Sequence, residues 1–547
     1  MSAFDIRTSI HPNIPDVTLN DASNRRIKVL CVGAGVNGIN NTYKIQKQCE
    51  NIDLVVYEKN SDIGGTWLDN RYPGCACDVP SHTYAFHFAP NPFWPKFLSG
   101  ALDIWTYLNK VCQVFKLRKY MKFDCEVTQA CWDDTSSRWV VDVKRVLPGG
   151  AQQEFQDTCD FFIYAPGLLN KPQWPRIEGI DTFKGRLIHT ARWPSSYQKK
   201  QWKNDKVAIT GSGASSIQVV PNIQPYVSQL HAVWFSAGLV PGFPQEHNYS
   251  PDDIKSFRKD PQRLVDHQKL MEQGMNDGWS LFFRGHETQN AAKRMLADRM
   301  KEMIKDPKLL EVLCWMSSDN TSDPYVRAIQ EPNVNVHFAP VVKLTPTGLM
   351  GGDGSHEEVD TVICATGFDA SFTPRFPVIG RGGLSLAEKL GNNSVVYFGF
   401  IILEMPNVVM YGGPGPPVQN GSLMGVFDAM SNYATQMIQK LQLENELIKQ
   451  TVFADNYRSC GLHYMEMLSE IRWEDYGIEY RDKKNMFAFI GTGYVRQHRK
   501  ANADLAWYLT PEGIDTLWAK EIGLNDEECK GNSETANGEI KGEPRRC

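Results

Sequence analysis

The stretch Lys28-Val-Leu-Cys-Val-Gly-Ala-Gly-Val-Asn-Gly38 constrains this chain more than any other. Its apolar run reads as a buried strand, its glycines as a tight turn, and the residues after them as a helix start. Gly33, Gly35 and Gly38 give the G-x-G-x-x-G spacing. Gly33 permits the turn, Gly35 lets the backbone approach a pyrophosphate, and Gly38 lets the helix pack close to the strand. The N–H groups and dipole at the helix start then favour phosphate charge. A second apolar strand, Asp53-Leu-Val-Val-Tyr57, ends at Glu58. An acid there suits two ribose hydroxyls. Strand, glycines, helix and acid in that order predict a dinucleotide-binding βαβ unit.

The rest of the 547 residues leaves room for two or three domains. A net charge of −5 gives no reason to expect nucleic acid or an anionic membrane surface as partner. The thirteen cysteines are scattered. Cys75-Ala-Cys77 is the only close pair, and no second pair or histidine motif completes a zinc spacing, so no metal site is expected. Mostly free thiols point to a reducing, cytoplasmic compartment. The polar leader 1–25 lacks the apolar core of a signal peptide. The longest apolar run, Val395 to Leu403, is too short for a transmembrane segment. The ending Arg545-Arg546-Cys547 is not a prenylation signal.

Further along lies a glycine-rich loop, Ile63 to Gly74, with Trp67, Tyr72 and Pro73, followed by Asp78 and the aromatic run Ser81 to Phe88. Such a loop either covers a core or walls a flat cofactor, and composition leaves both open. A β-meander is expected over Cys125 to Val143, with Trp132 and Trp139 flanking its turn. The proline-rich run Leu169 to Gly179 reads as a domain crossing. A second phosphate-binding unit begins at Lys206, with Gly211 and Gly213 in the first two glycine places and the small Ser216 in the third. Two such units imply two dinucleotides, or one live site and one inherited scaffold.

Residues about 245–325 read as a helical insert, with Leu296, Met300, Met303 and Ile304 forming a packing stripe. The strand Glu358 to Phe368, ending in Ala-Thr-Gly, reads as the return to the first domain, with Val408 to Gly415 as its partner. The expected fold is α/β: two Rossmann-like dinucleotide-binding domains with a helical insert. The predicted division is 26–170 and 351–524 for the first domain and a C-terminal cap, 171–350 for the second domain, and 525–547 for a disordered tail.

Two longer signatures lie between the glycine fingerprints. One is Phe183-Lys-Gly-Arg-Leu-Ile-His-Thr-Ala-Arg-Trp-Pro194; the other runs from Gly65 through Trp67, Tyr72, Pro73 and Gly74 to Asp78. With Ala365-Thr-Gly-Phe-Asp369, they make the chain similar to the flavin-dependent Baeyer–Villiger monooxygenases, in a branch typical of fungal secondary metabolism. The resemblance covers roughly residues 28 to 510. It implies FAD on the first unit and NADPH on the second. Gly33, Gly35, Gly38 and Glu58 would hold the FAD pyrophosphate and ribose. Thr66, Trp67, Leu68 and Asp69 would wrap FAD, largely by backbone. Asp78, Val79 and Tyr84 would sit by the flavin, and Val127 would meet the adenine. Gly211, Gly213 and Ser216 would cradle the second nucleotide. His189 would serve as a structural residue of the interdomain linker. In such enzymes the reduced flavin takes O₂ to a C4a-peroxide that attacks a small organic ketone, giving an ester or lactone. A fixed positive charge stabilises that anion in a dry site.

The chain departs from this family on one side only. Where relatives carry the peroxide-stabilising arginine, no arginine occurs between Arg299 and Arg327, and Ser317 and Ser318 stand nearest the place. Phe235 stands where an arginine would pair with the 2′-phosphate of NADPH, and the Cys-x-Ser-Trp-Tyr-like element near the nicotinamide is missing. The expectation is therefore sound FAD binding with NADPH use in doubt. Open alternatives are a substrate-reduced flavin oxidase or dehydrogenase, and a non-redox FAD-containing cyclase or isomerase. Asp78, without its arginine, is the candidate catalytic residue.

Overall fold

The computed structural model describes residues 25–233, 247–282, 285–314, 323–391, 396–397, 399–402, 405–414, 421–443 and 510–524. The leader, the tail and most of the expected C-terminal cap fall outside them.

The first glycine fingerprint follows an inner strand of a seven-stranded sheet. Ile27–Val32 pairs in parallel with Ile52–Tyr57 on one side and with Phe161–Tyr164 on the other. Covered on both faces, the strand is a continuous apolar run rather than an alternating one. Val29 and Leu30 are fully buried. One face packs against the helices Val36–Gln48, Ala101–Val114 and Leu423–Leu443. The other packs against an antiparallel sheet built from Cys125–Asp133, Arg138–Val146 and Gln152–Cys159, the expected meander plus one strand. Trp132 and Trp139 pair directly across it, and Trp139 Nε1 donates to the Pro406 carbonyl at 2.8 Å.

The fingerprint helix Val36–Gln48 buries polar residues: Asn40, Asn41, Thr42 and Lys44. Each finds a partner, as burial requires. Asn40 Nδ2 donates to the Phe427 carbonyl and to Ser431 Oγ, both at 3.1 Å. The Tyr411 hydroxyl donates to Asn41 Oδ1 at 3.0 Å, and Thr42 Oγ1 donates to the Gly38 carbonyl at 2.6 Å. Lys44 pairs with Asp428 at 2.9 Å. Residues almost 400 positions apart thus lock the nucleotide helix to Leu423–Leu443.

The second sheet has five parallel strands in the order Val334–His337, Gln229–Val233, Lys206–Thr210, Thr361–Cys364, Arg186–His189. This corrects the expectation for 358–368. Thr361–Cys364 lies inside the second sheet, not the first. The partner of Val408–Met410 is Phe161–Tyr164. A buried parallel strand reads alike in either sheet, and only pairing decides which one it joins. A smaller antiparallel sheet, Val341–Thr345, Gly348–Gly351 and His356–Glu358, packs beside the second sheet.

The helical insert also differs from the single unit expected within 171–350. Tyr249, Phe257, Leu264 and Val265 pack into the core of the first sheet, whereas Met300, Ile304 and Leu309 pack into that of the second. Of the predicted stripe, Met300 and Ile304 are buried, Met303 packs at the margin, and Leu296 is partly exposed. Among the described residues no helix is long and apolar enough to cross a membrane.

Candidate functional site

Steric limits at the first fingerprint show why its glycines are needed. Gly33 has φ +98°, and a Cβ there would meet the Ala165 carbonyl oxygen at 2.5 Å. A Cβ at Gly38 would lie 1.9 Å from the Gly33 carbonyl oxygen. Gly35 caps the helix start in extended conformation, with no side-chain cap and no acidic residue in the first turn. The positive end of that helix is therefore left for a ligand anion. At the end of the next strand Glu58 is 4% exposed and accepts from the Ala34 N–H at 2.7 Å and the Asn60 N–H at 2.9 Å. Burial raises its pKa above the usual carboxylate value, against the pull of those two hydrogen bonds.

The Ile63–Gly74 loop closes over this turn. The Gly64 N–H donates to the Ala34 carbonyl at 3.0 Å, and a Cβ at Gly65 would lie 3.2 Å from Gly35 Cα. Two glycine backbones thus face each other. In the short helix Thr66–Asp69, the N–H groups of Trp67, Leu68 and Asp69 bond back to Gly64 and Gly65. Their donors are committed to the turn, and Thr66 is the exposed member. Trp67 Nε1 donates to the Tyr84 hydroxyl at 3.0 Å, fixing the two rings edge to face. Cys77 is buried, Asp78 is exposed, and Val79 is partly buried. Among the described residues the Asp78 carboxylate has no hydrogen-bond or ion-pair partner. The Val127 side chain is buried in the core, but the ladder shifts register between Val127 and Gln129. Such a shift leaves backbone groups unpaired beside it.

The second fingerprint keeps the same shape. Gly211 has φ +106°, and a Cβ there would lie 2.4 Å from the Ala365 carbonyl oxygen. Nothing lies within 4 Å of a Cβ at Gly213, where a pyrophosphate would approach. The helix Ala214–Ile223 has no side-chain cap and no acid in its first turn. Ser216 is fully buried, and its Oγ has no partner among the described residues.

The two cradles are joined. The Tyr72 hydroxyl donates to Gln218 Oε1 at 2.9 Å, Gln218 Nε2 donates to the Ala76 carbonyl at 3.1 Å, and a Cβ at Gly74 would strike Asn222. Asp69 lies 3.8 Å from Arg192 of the 183–194 signature. In that signature His189 is buried, and its Nδ1 accepts from the Ala191 N–H at 3.1 Å. Its Nε2 sits 3.4 Å from Thr366 Oγ1, which donates to the Gln173 carbonyl at 2.6 Å. Burial lowers its pKa. A neutral ring with both nitrogens engaged positions the crossing.

The sequence reading missed His82. It is 1% exposed and packed by Tyr249, Phe257 and His267 of the insert, and neither ring nitrogen has a partner among the described residues. Burial and the neighbouring His267 and His247 hold its pKa well below the usual histidine value. Only the aromatic richness of 81–88 signalled it. Phe235, Ser317 and Ser318 lie outside the described residues.

An NAD(P)-binding Rossmann-like domain model matches residues 31–100. The chain is 42% identical to the FAD-binding monooxygenase moxY of Dothistroma septosporum, over 93% of this chain and 89% of that protein. It is also 42% identical to the FAD-binding monooxygenase stcW of Emericella nidulans, over 92% of each. The chain belongs to the FAD-binding monooxygenase family. Within this family, a Baeyer–Villiger monooxygenase of Streptomyces coelicolor is 31% identical over 76% of this chain and 79% of its own. A closed cyclohexanone monooxygenase structure shares the fold, with TM-score 0.71, 22% identity, and coverage of 88% of this chain and 98% of that one.

Proposed function

We propose that this FAD-dependent oxidoreductase is a monooxygenase of the Baeyer–Villiger type, placing one oxygen atom of O₂ into a small organic intermediate of fungal secondary metabolism. The observation that carries this reading is the first cradle, where an uncapped helix start, two facing glycine backbones and a buried Glu58 leave room and charge for FAD. Gly33, Gly35 and Gly38 would admit the pyrophosphate, and Glu58 would accept from the ribose. Thr66, Trp67, Leu68 and Asp69 would line the loop side, Asp78, Val79 and Tyr84 the ring side, and the backbone at Val127 the adenine. Bound FAD supplies the oxygen chemistry.

The chain's own part is to bind, orient and exclude water. The Trp67–Tyr84 pair fixes one wall, and His82 with its aromatic neighbours packs the insert helix Pro261–Asp277 onto the 81–83 turn. The exposed Asp78 carboxylate is left for contact with substrate or flavin edge. Gly211, Gly213 and Ser216 would hold a nicotinamide nucleotide. Phe235, at the place where the family resemblance leads one to expect arginine, would leave the 2′-phosphate unselected. The test is turnover under isotopically labelled O₂ with candidate ketones. One labelled oxygen atom in the product supports the reading, and unlabelled product with the flavin staying oxidised overturns it.

A second reading rests on the same sequence departures at Phe235, Ser317 and Ser318: substrate itself reduces the flavin. Bleaching by substrate alone, without nicotinamide nucleotide, would favour it.

A further inference from the structure

Three ligand-type side chains that no sequence spacing links come together at the edge of the second sheet. His231 lies on Gln229–Val233, His337 ends Val334–His337, and Glu357 lies on His356–Glu358. The first two strands pair in parallel with His231 opposite Asn335. His337, two residues further on, therefore shares that face. His231 Nδ1 lies 3.1 Å from His337 Nε2. The Glu357 carboxylate offers one oxygen to each ring, at 3.7 Å from His231 Nδ1 and 3.9 Å from His337 Nε2.

We propose that His231, His337 and Glu357 bind one divalent transition-metal ion of the zinc class. Two imidazoles and a carboxylate are a ligand set that zinc takes, with a fourth position for water. The carboxylate stands too far off for charge-assisted hydrogen bonds of about 2.7–2.9 Å. Donors around a tetrahedral ion with bonds of about 2.0–2.1 Å lie about 3.3 Å apart. One ligand atom from each residue lies within 4.8 Å of the others, and a turn of the partly exposed Glu357 side chain would bring a single carboxylate oxygen up to both rings. His231 is 1% exposed, and its burial favours the neutral ring that a ligand must be. His337 and Glu357 are partly exposed, so the site opens to water on their side. Asp353 adds negative field at His337, while Lys206 opposes it at His231.

The position gives the ion a structural task. The chain leaves the second sheet after Gln229–Val233, runs through the helical insert, and returns at Val334–His337. An ion held by both strands would tie the entry and exit of the insert to each other and to His356–Glu358. That insert carries Phe257, Leu264 and Val265 into the core of the first sheet. The ion would thus fix the base of the element that spans both cores.

The test uses the full-length, FAD-loaded protein, stripped with chelator and titrated with zinc by calorimetry. Cobalt(II) serves as a spectroscopic stand-in. The expected result is one ion per chain at micromolar or tighter affinity, tetrahedral cobalt bands, and a higher thermal midpoint with zinc. His337→Ala and Glu357→Gln should each weaken binding at least about tenfold and remove the thermal shift. Glu357→Gln preserves side-chain volume, and retained flavin absorbance reports that each variant is folded. Absence of stoichiometric binding to the unaltered protein, or binding unchanged in both variants, would overturn the proposal and leave a hydrogen-bonded histidine pair.

Discussion

A Cβ at Gly38 would lie 1.9 Å from the carbonyl oxygen of Gly33, a separation that a non-bonded carbon and oxygen do not tolerate. The obstacle is backbone, so no side-chain rotation relieves it. Gly38→Ala must push the helix Val36–Gln48 off its strand and disturb the polar contacts it makes with Leu423–Leu443. The expected outcome is protein without bound flavin and with a sharply lowered thermal midpoint. Gly213→Ala provides the contrast. Its backbone is extended and nothing lies within 4 Å of the added Cβ. That variant should keep its fold and its flavin but slow flavin reduction by nicotinamide nucleotides, as stopped-flow absorbance would show.

Glu58 is held by two backbone donors at the strand end and needs no rearrangement to receive ribose hydroxyls. A hydrogen bond to a charged group is worth about 1.5–3 kcal/mol, or roughly 10–100-fold in affinity. Glu58→Ala should weaken FAD binding by that order, measured by fluorescence titration of the stripped protein. An unchanged affinity would remove Glu58 from the site.

The Lys44–Asp428 pair is buried on both sides, each side chain 11% exposed. Removing one partner of such a pair leaves an unmatched buried charge, at about 3–5 kcal/mol. Lys44→Met should lower the thermal midpoint by several degrees. Lys44→Met with Asp428→Leu should recover most of the loss, because apolar replacement of both partners is often close to neutral.

Glu272, partly buried on the insert helix Pro261–Asp277, has its carboxyl pushed up to about 7 by burial. Between about 4.5, its usual value, and 7, the folded state holds the proton that the unfolded state has released. By linkage, the stability it contributes is complete below the lower value and is lost as pH rises through the upper one. Chemical denaturation from pH 4 to 8 should show a falling component over that window. Glu272→Gln should flatten it.

How much of this was legible in the sequence depends on how local each signal is. Gly33, Gly38 and Glu58 form a motif within one βαβ unit, and its steric reasons hold in the fold. The meander around Trp132 and Trp139 was legible for the same reason. Thr361–Cys364 was misplaced because a buried parallel strand looks the same in either sheet. The division of the insert between two cores, with Leu264 on one side and Ile304 on the other, depends on tertiary packing that helical periodicity does not encode. His231, His337 and Glu357 left no trace as a cluster, because their spacing matches no metal-ligand motif and only strand pairing unites them.

The central claim is a live FAD site beside a nucleotide site that keeps its shape but does not select a 2′-phosphate. Anaerobic mixing of the yellow holoprotein with NADPH and, separately, with NADH tests it most directly. The account predicts slow bleaching of the flavin, at similar rates with both nucleotides and only at high concentration. Rapid bleaching at micromolar NADPH, with NADH far behind, would contradict it.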